Sequence, residues 1–322
     1  MYLGVDGGGT KTAFALIDAD GQVLARHERG SAYYLETGLE QTAAMLNAGV
    51  SETLALAGVT PEAVTFAFFG LPAYGEDSLL HAALDALPGD VFAPERYRCG
   101  NDMVCSWAGS LACADGISVV AGTGSIAYGR YQGREARAGG WGELFSDEGS
   151  AYWIAREGLN LFSRMSDGRT ARGPLHEIFR RSLELGADLD LCAEVYSRRK
   201  AERSEVAQLA RLVQQAALEG DAQALAIFGR AAQELAQIVD AVRCQLQVPA
   251  DVALPVSYTG GVFNSESPVL QPFARALEQR GSVALRTPAF PPVIGAALYA
   301  AQCSGQLPGA DALARLAGQM RT

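Results

Sequence analysis

Membrane-spanning segments are the first feature that this sequence of 322 residues lacks. No apolar stretch approaches the ~18 residues that a transmembrane helix needs. The N-terminus carries no basic leader, and Asp6 interrupts the first apolar run, Met1–Val5, which a secretory signal would continue. We therefore expect a cytoplasmic protein that has no membrane partner.

Basic charge is also scarce. The chain has 26 Lys plus Arg against 36 Asp plus Glu, which gives a formal net charge of −10. Nucleic acids and anionic membrane surfaces are bound by basic faces, so neither is expected as the main partner. An acidic balance is otherwise common among soluble proteins and identifies no substrate.

Cysteine and histidine are few, with six and three residues respectively. No C-x-x-C pair occurs, and no histidine stands at metal-ligand spacing from a cysteine. We expect the cysteines to be reduced and mostly buried, and His27, His81 and His176 to be surface or packing residues. This spread gives no obvious ligand pair for an iron–sulfur cluster.

Glycine, in contrast, is concentrated in a motif near the N-terminus, Asp6–Thr12, with the sequence DGGGTKT. Glycines let backbone amides approach an anion closely, and the acid can hold Mg²⁺ or the water bound to it. The P-loop pattern fails because Thr10 stands where lysine is required. The motif separates two apolar runs, which favours a β-hairpin and predicts a nucleotide-dependent enzyme. A plain glycine-rich hairpin turn is the alternative.

Two similar turns follow apolar strands later in the chain. Gly122–Ser125 follows the buried strand Ile117–Ala121, and Gly260-Gly261 follows Val256–Thr259. The first turn also fits the dinucleotide pattern G-x-G-x-x-A, with Glu143 about 20 residues on. That pattern must open into a helix, whereas here the chain continues as strand and turn. We therefore reject a dinucleotide site.

Hydrophobic periodicity predicts alternating strands and helices in the first ~115 residues and a mostly helical stretch at about 150–248. The chain is long enough for two domains. The expected early elements are a helix over 40–57, a buried strand over 64–71, a helix over 77–87 and a strand over 96–99. The last ~15 residues are expected to form a loosely attached tail.

Two lobes that each open with a strand–turn–strand phosphate loop resemble the actin, hexokinase and heat-shock-chaperone ATPase superfamily. More specifically, the segments GGWGE (139–143) and DEGSAYWIA (147–155) resemble those of N-acetylglucosamine kinases within the BadF/BadG/BcrA/BcrD ATPase family. The resemblance implies an α/β, two-lobed, ribonuclease H-like fold with a mixed five-stranded sheet in each lobe. The lobes would span 1–115 and 116–322, with a helical insertion at about 150–248 in the second.

The resemblance also implies ATP-dependent transfer of the γ-phosphate to a hydroxyl, the 6-hydroxyl, of N-acetylglucosamine or a related hexosamine. Asp102 corresponds to the catalytic base at the substrate, and Asp6 to the acid that holds Mg²⁺ through water. The implied nucleotide-binding residues are Gly8, Gly9, Thr10, Lys11, Gly122, Thr123, Gly124, Ser125, Gly260, Gly261 and Asn264. The implied sugar-binding residues are Gly140, Trp141 and Asp147. Tyr33 and Leu71-Pro72 depart from the family pattern beside the expected sugar, which puts the identity of the acceptor in doubt.

Structural alternatives exist for several of these residues. Asp102 could be a helix N-cap, Asp147 could serve the dipole of a following helix, and Trp141 could be a core residue. Two other functions are an ATPase that activates a 2-hydroxyacyl-CoA dehydratase, and a sugar-sensing regulator. The activator needs cysteine ligands and the regulator a DNA-binding segment, so we expect the kinase. The oligomeric state stays open, with a homodimer as one option.

Overall fold

A computed structural model describes residues 1–264, 268–281 and 283–320 of the chain. The chain divides into two compact units. Unit 1 comprises Met1–Gly116 together with Thr287–Thr322, and unit 2 comprises Ile117–Arg286. No helix in these described ranges is both long and apolar enough to cross a bilayer.

Unit 1 is built on a mixed five-stranded sheet with the order β3-β2-β1-β4-β5. Its strands are β1 (Tyr2–Gly7), β2 (Thr12–Ile17), β3 (Val23–Arg29), β4 (Phe66–Leu71) and β5 (Tyr97–Asn101). The first three strands form an antiparallel meander, as the N-terminal pattern predicted, while β4 and β5 run parallel to β1. The apolar run that forms β4 lies between β1 and β5, which explains why five of its six residues are buried.

The helices of the first 116 residues are α1 (Tyr34–Thr37), α2 (Leu39–Ala57), α3 (His81–Asp85) and α4 (Met103–Leu111). Helix α2 confirms the prediction for 40–57 and ends at Gly58, whose φ of +66° forms a left-handed cap. The helix predicted over 77–87 is shorter than expected. A 3₁₀ turn, Ser78–Leu80, precedes α3, and the Asp77 side chain caps that turn by accepting from Leu79 N–H at 2.9 Å.

Unit 2 repeats the sheet of unit 1, with the strand order β10-β9-β6-β7-β8. Its strands are β6 (Gly116–Ala121), β7 (Ser125–Tyr131), β8 (Arg134–Gly139), β9 (Leu254–Thr259) and β10 (Val283–Arg286). Strands β7 and β8 are antiparallel, while β9 runs parallel to both β6 and β10. Two mixed five-stranded sheets therefore confirm the predicted fold class.

Helices connect β8 to β9, which confirms the helical insertion predicted at about 150–248. The helices of unit 2 are α5 (Ala151–Ser166), α6 (Pro174–Ser182), α7 (Asp190–Ala193), α8 (Arg203–Ala207), α9 (Ala210–Leu218), α10 (Ala222–Gln245) and α11 (Leu270–Arg280). Side chains cap the two longest of them. Ser150 Oγ accepts from Trp153 N–H at 3.1 Å, and Asp221 accepts from the amides of Gln223 and Ala224.

The C-terminal segment corrects two predictions. Helices α12 (Pro292–Cys303) and α13 (Ala310–Gln319) pack in unit 1, so a single C-terminal lobe over 116–322 is wrong for Thr287–Thr322. The expected loose tail is also wrong. Gln319 Nε2 donates to Gly21 O at 2.8 Å and Arg315 Nη1 donates to Asp20 O at 2.8 Å, which fixes α13 to the β2–β3 turn.

Helix α12 lies against β1, β4 and α4. Small residues permit this close approach, because a Cβ at Gly4 of β1 would lie 2.6 Å from Val293 O and 2.7 Å from the carbonyl carbon of Ala296. On the α4 side, a Cβ at Gly295 would lie 2.6 Å from Gly109 Cα. Helix α12 therefore packs closely both on β1, the strand that carries Asp6, and on α4.

Candidate active site

The carboxyl ends of the parallel strands β1, β4 and β5 lie at one edge of the sheet in unit 1. Asp6 lies near the end of β1, and Asp102 directly follows β5. Asp102 N–H donates to Leu71 O at the end of β4, with a separation of 3.3 Å. The topology thus brings Asp6 and Asp102 to neighbouring positions, although they are 96 residues apart in sequence.

Asp6 is half-buried, and its pKa is raised to about 7. Burial is the main cause, and the negative charge of Asp102 adds to it, while a hydrogen bond from Cys105 and the charge of Lys11 oppose the rise. A carboxylate in such surroundings is stabilised by a nearby cation.

The donor set at this edge fits Mg²⁺. Within the described ranges, no three His, Cys, Asp or Glu side chains are grouped as a complete set of metal ligands. Mg²⁺ is usually held by one or two carboxylates, with water and substrate phosphates as the remaining ligands. Asp6 supplies the one carboxylate that such an ion can take from a protein.

Cys105 lies beneath Asp6 and is a residue that the sequence analysis did not single out. Its side chain is fully buried, and Sγ donates to Val5 O at 3.7 Å. Burial, with the negative charges of Asp6 and Asp102, raises the pKa of the thiol well above its usual range. The group therefore stays a neutral thiol. All six cysteines are free, but Cys192 and Cys244 are exposed, so burial is less general than predicted.

Asp102 occupies the N-cap position of α4, with a φ of −61° and a ψ of −22°. Its side chain makes no capping hydrogen bond to the helix. Asn101 takes part in that role instead, since its Oδ1 accepts from Met103 N–H at 3.1 Å. Asp102 thus stands at the N-cap position, as the structural alternative predicted, but its side chain does not cap the helix.

The loop between β1 and β2 presents backbone amides outward. Gly8 O accepts from Ala32 N–H at 3.1 Å, which anchors the loop, while the exposed amides of Gly9 and Thr10 donate no hydrogen bond within the described part of the chain. Two such amides suit an anion. Lys11 instead pairs with Glu28 at 2.7 Å, and both side chains are more than 60% exposed, so this ion pair is weak.

The second glycine-containing loop, Gly122–Ser125, lies at the N-terminus of α5. Ala151 N–H donates to Gly122 O at 2.8 Å, and Ser125 Oγ donates to Glu148 O at 2.7 Å. The amides of Thr123 and Gly124 find no acceptor among the residues that the structure describes. Free amides beside the positive end of a 16-residue helix are a favourable place for a phosphate.

Asp147 is buried beside this loop, with only 1% of its surface exposed. Its Oδ1 accepts from Ser125 N–H at 3.4 Å, and its Oδ2 pairs with Arg203 of α8. Arg203 Nε also lies 3.3 Å from Glu143 Oε2. Burial raises the pKa of Asp147 even though the charge of Arg203 opposes the rise. The side-chain cap of α5 is supplied by Ser150 and not by Asp147.

Gly140 and Trp141 lie in the loop between β8 and α5. Gly140 has a φ of +69°, and a Cβ there would lie 2.7 Å from Ile126 Cδ1, so glycine is required. Trp141 is 69% exposed, which excludes its alternative as a core residue of unit 2. An exposed indole offers an apolar face to a ligand.

The turn after β9 holds the third glycine pair. Gly260 has a φ of +99°, and a Cβ on it would lie 2.5 Å from the carbonyl carbon of Ala121 in β6. Gly261 has no atom within 4 Å of an added Cβ. Asn264 is exposed at the end of the same turn. These three residues lie beyond the carboxyl end of β9, which runs parallel to the neighbouring β6.

Tyr33 adjoins the Asp6 edge of unit 1. It is half-buried, and its N–H donates to Ser31 Oγ at 3.0 Å. The chain around it is close to β1, because a Cβ at Gly7 would lie 3.0 Å from Ala32 Cβ and 3.1 Å from Pro72 Cδ. The structure thus brings both segments that depart from the resemblance, at Tyr33 and at Leu71-Pro72, to the end of β1.

Comparison with known proteins gives a match to the BadF/BadG/BcrA/BcrD ATPase family over residues 3–300. The chain belongs to this family. It is 28% identical to an N-acetyl-D-glucosamine kinase of Dictyostelium discoideum, over 81% of this chain and 85% of that protein. It is 30% identical to an N-acetylmuramic acid/N-acetylglucosamine kinase of Clostridium acetobutylicum, over 85% of this chain and 89% of that protein.

A solved structure of a provisionally named N-acetylglucosamine kinase from Chromobacterium violaceum superposes on this chain with a TM-score of 0.73 and 26% identity. The match covers 92% of this chain and 97% of that one. A glucokinase from Streptomyces griseus shares the fold at a TM-score of 0.57 and 18% identity. Membership of the BadF/BadG/BcrA/BcrD family implies that the protein binds ATP.

Gly260 and Gly261 are adjacent glycines in different surroundings, so alanine substitutions at the two positions can be compared in a stability measurement. Gly260→Ala is expected to lower the free energy of unfolding by about 1–3 kcal/mol, because the new Cβ meets β6 and the left-handed φ is strained. Gly261→Ala, which meets no atom, is expected to change it by less than about 0.5 kcal/mol. Urea unfolding of both variants checks this; equal midpoints would contradict it.

Proposed function

We propose that this protein is an ATP- and Mg²⁺-dependent kinase of the cytoplasm that phosphorylates an amino sugar. The acceptor would be N-acetylglucosamine or a related hexosamine, attacked through its 6-hydroxyl. The observation that carries the proposal is the pairing of Asp6 and Asp102 at one sheet edge, in a chain whose curated relatives are named as kinases of N-acetylated sugars.

Asp102 would act as the general base. Phosphoryl transfer depends mainly on positioning and on charge stabilisation, so the protein needs an oriented hydroxyl rather than a covalent intermediate. The Asp102 carboxylate, which does not cap α4, would accept the proton of the sugar hydroxyl as its oxygen attacks the γ-phosphorus.

Backbone amides would hold the phosphates. The proposed ligands in the two loops are Gly8, Gly9, Thr10, Lys11, Gly122, Thr123, Gly124 and Ser125. Asp6 would hold Mg²⁺ through water, and the ion would neutralise charge on the β- and γ-phosphates. Lys11 is the weakest member of this set, because it would have to leave Glu28 to reach a phosphate.

The remaining site residues would bind the nucleoside and the sugar. Gly260, Gly261 and Asn264 would contact the nucleoside, and Gly261, where an added Cβ would meet no atom, leaves room for a flat ring against the backbone. Gly140 and Trp141 would contact the sugar, with the exposed indole as an apolar wall, whereas Asp147, buried and paired with Arg203, would support this part of the site from behind. Tyr33 would line the acceptor site near Asp6 and Asp102.

The experiment that tests this function is ADP release with ATP and Mg²⁺ against a panel of acceptors. The panel is N-acetylglucosamine, glucosamine, N-acetylmannosamine, N-acetylmuramic acid and glucose. We expect one amino sugar to stimulate ADP release strongly and glucose to do so weakly. ADP release that no sugar changes would contradict the kinase, and the iron content would then test the dehydratase activator.

Tyr33→Asn should shift the acceptor preference toward N-acetylglucosamine by about tenfold in relative kcat/KM, because an amide replaces an aromatic ring beside the acceptor. The measurement is the ratio of kcat/KM for N-acetylglucosamine to that for the best other sugar of the panel. Tyr196→Asn, at a 72% exposed tyrosine of unit 2, is the control and should leave the ratio unchanged. An unchanged ratio for Tyr33→Asn would place Tyr33 outside the acceptor site.

A further inference from the structure

A network of three charged side chains, Asp147, Arg203 and Glu143, links the Gly122–Ser125 loop to the loop that carries Trp141. It runs from Ser125 N–H to Asp147 Oδ1, from Asp147 Oδ2 to Arg203, and from Arg203 Nε to Glu143 Oε2 at 3.3 Å. Asp147 is fully buried, whereas the side chains of Arg203 and Glu143 are each 38% exposed. Glu143, at the outer end of this network, is therefore accessible to a ligand, whereas Asp147, at the inner end, is not.

Arg203 also lies directly against Gly124. A Cβ at Gly124 would lie 2.7 Å from Asp147 Oδ2, and it would overlap the Arg203 guanidinium as well. The Asp147–Arg203 pair thus fills the space behind the phosphate loop, and a glycine at 124 is what lets it approach.

The chemistry of the pair explains why an arginine is needed. The guanidinium keeps its charge at any working pH, and its planar donors can engage two carboxylates at once. Without it, the Asp147 carboxylate would be buried with the Ser125 amide as its hydrogen-bond donor and no compensating positive charge, which is costly. Glu143 would lose its ion pair with Arg203, whose Nε lies 3.3 Å from Glu143 Oε2. Sugar hydroxyls bind best to carboxylates that are already held in place.

We propose that Arg203 is a positioning residue for the sugar acceptor. It holds Glu143 toward the ligand and Asp147 against the phosphate loop, so that Glu143 accepts hydrogen bonds from sugar hydroxyls while Asp147 supports the arrangement from behind. This inference rests on the proposed kinase function and adds Glu143 and Arg203 to its sugar site.

The test measures steady-state ADP release by the full chain, with the sugar that stimulates the wild type and with ATP varied separately. Arg203→Met is expected to raise KM for the sugar about tenfold or more and to change KM for ATP less than about threefold. If Arg203 only stabilised the fold, the substitution would change KM for the sugar and KM for ATP together, or it would lower only the amount of active enzyme. Arg198→Met is the matched control, because Arg198 is 67% exposed and pairs with Glu194 in the neighbouring turn. It should leave both constants unchanged.

Glu143→Gln is a second, independent test by the same measurement, and it is sufficient on its own if Arg203→Met does not fold. It keeps Asp147 paired and should also raise KM for the sugar about tenfold. The double variant should be no worse than the stronger single variant, since both remove the same contact.

The outcomes separate the inference from the function on which it rests. A sugar-stimulated wild type whose KM for the sugar stays within twofold in both Arg203→Met and Glu143→Gln overturns the role of Arg203 and leaves the kinase intact. A wild type that no sugar stimulates overturns the proposed kinase and this inference with it.

Discussion

Asp102→Asn is expected to lower kcat for sugar phosphorylation by at least ~100-fold, because general base catalysis contributes a factor of that size or more. Asparagine keeps the shape of the side chain but cannot accept the proton of the acceptor hydroxyl. The backbone around it should not change, because residue 102 N–H would still donate to Leu71 O and Asn101 Oδ1 would still accept from Met103 N–H at the start of α4. The loss should therefore appear in kcat and not in folding.

Nucleotide binding should survive the same substitution. The negative charge of Asp102 is one cause of the raised pKa of Asp6, so removing that charge favours the ionised form of Asp6. Isothermal titration calorimetry of Asp102→Asn with ATP in the presence of Mg²⁺ should give a dissociation constant within about threefold of that of the wild type. Asp90→Asn, at an exposed acid of the same unit, is the control. A near-normal kcat for Asp102→Asn would show that another group is the base.

Gly295→Ala is expected to lower the free energy of unfolding by about 3 kcal/mol or more, a large part of the 5–15 kcal/mol typical of a domain. The added Cβ would lie 2.6 Å from Gly109 Cα, and backbone atoms cannot move aside as a side chain can. Helix α12 would have to shift away from α4, and its contact with β1 would open with it.

Gly229→Ala is the matched control for this prediction. Gly229 also lies within a helix, α10, but an added Cβ there has no atom within 4 Å. Alanine is the better helix former, so this variant should gain about 0.5–1 kcal/mol. Urea unfolding followed by far-UV circular dichroism measures both. A Gly295→Ala protein with the midpoint of the wild type would show that α12 does not pack this closely.

Local patterns were sufficient for most of the fold. The two apolar runs on either side of Asp6–Thr12 predicted the hairpin, and the continuous apolar run ending at Leu71 predicted a buried strand. Each of these signals lies within about ten residues of the structure it specifies. The roles of Asp6 and Asp102 were implied by the family resemblance, and it is the parallel arrangement of β1, β4 and β5 in the structure that brings the two residues together.

Long-range pairing was not accessible in the same way. Arg203 lies 56 residues from Asp147 and belongs to a run, Arg198–Arg203, that resembles any solvated helix face. Nothing in its local pattern indicates a buried partner. The exposure of Trp141 and the docking of α13 depended on tertiary contacts for the same reason. Nothing in the local sequence of α12 indicates the sheet on which it packs.

The return of α12 to the first sheet has a consequence during synthesis on the ribosome. Strands β1 and β4 and helix α4 emerge first, and the helix that covers them emerges only after residues 117–291 have been made. At about 5–20 residues per second, that interval is roughly 10–35 s. During this time the glycine-lined surface around Gly4 and Gly109 stays uncovered. The nascent chain is thus open to chaperones and to aggregation in its first third, while unit 2, which is continuous in sequence, can fold as it emerges.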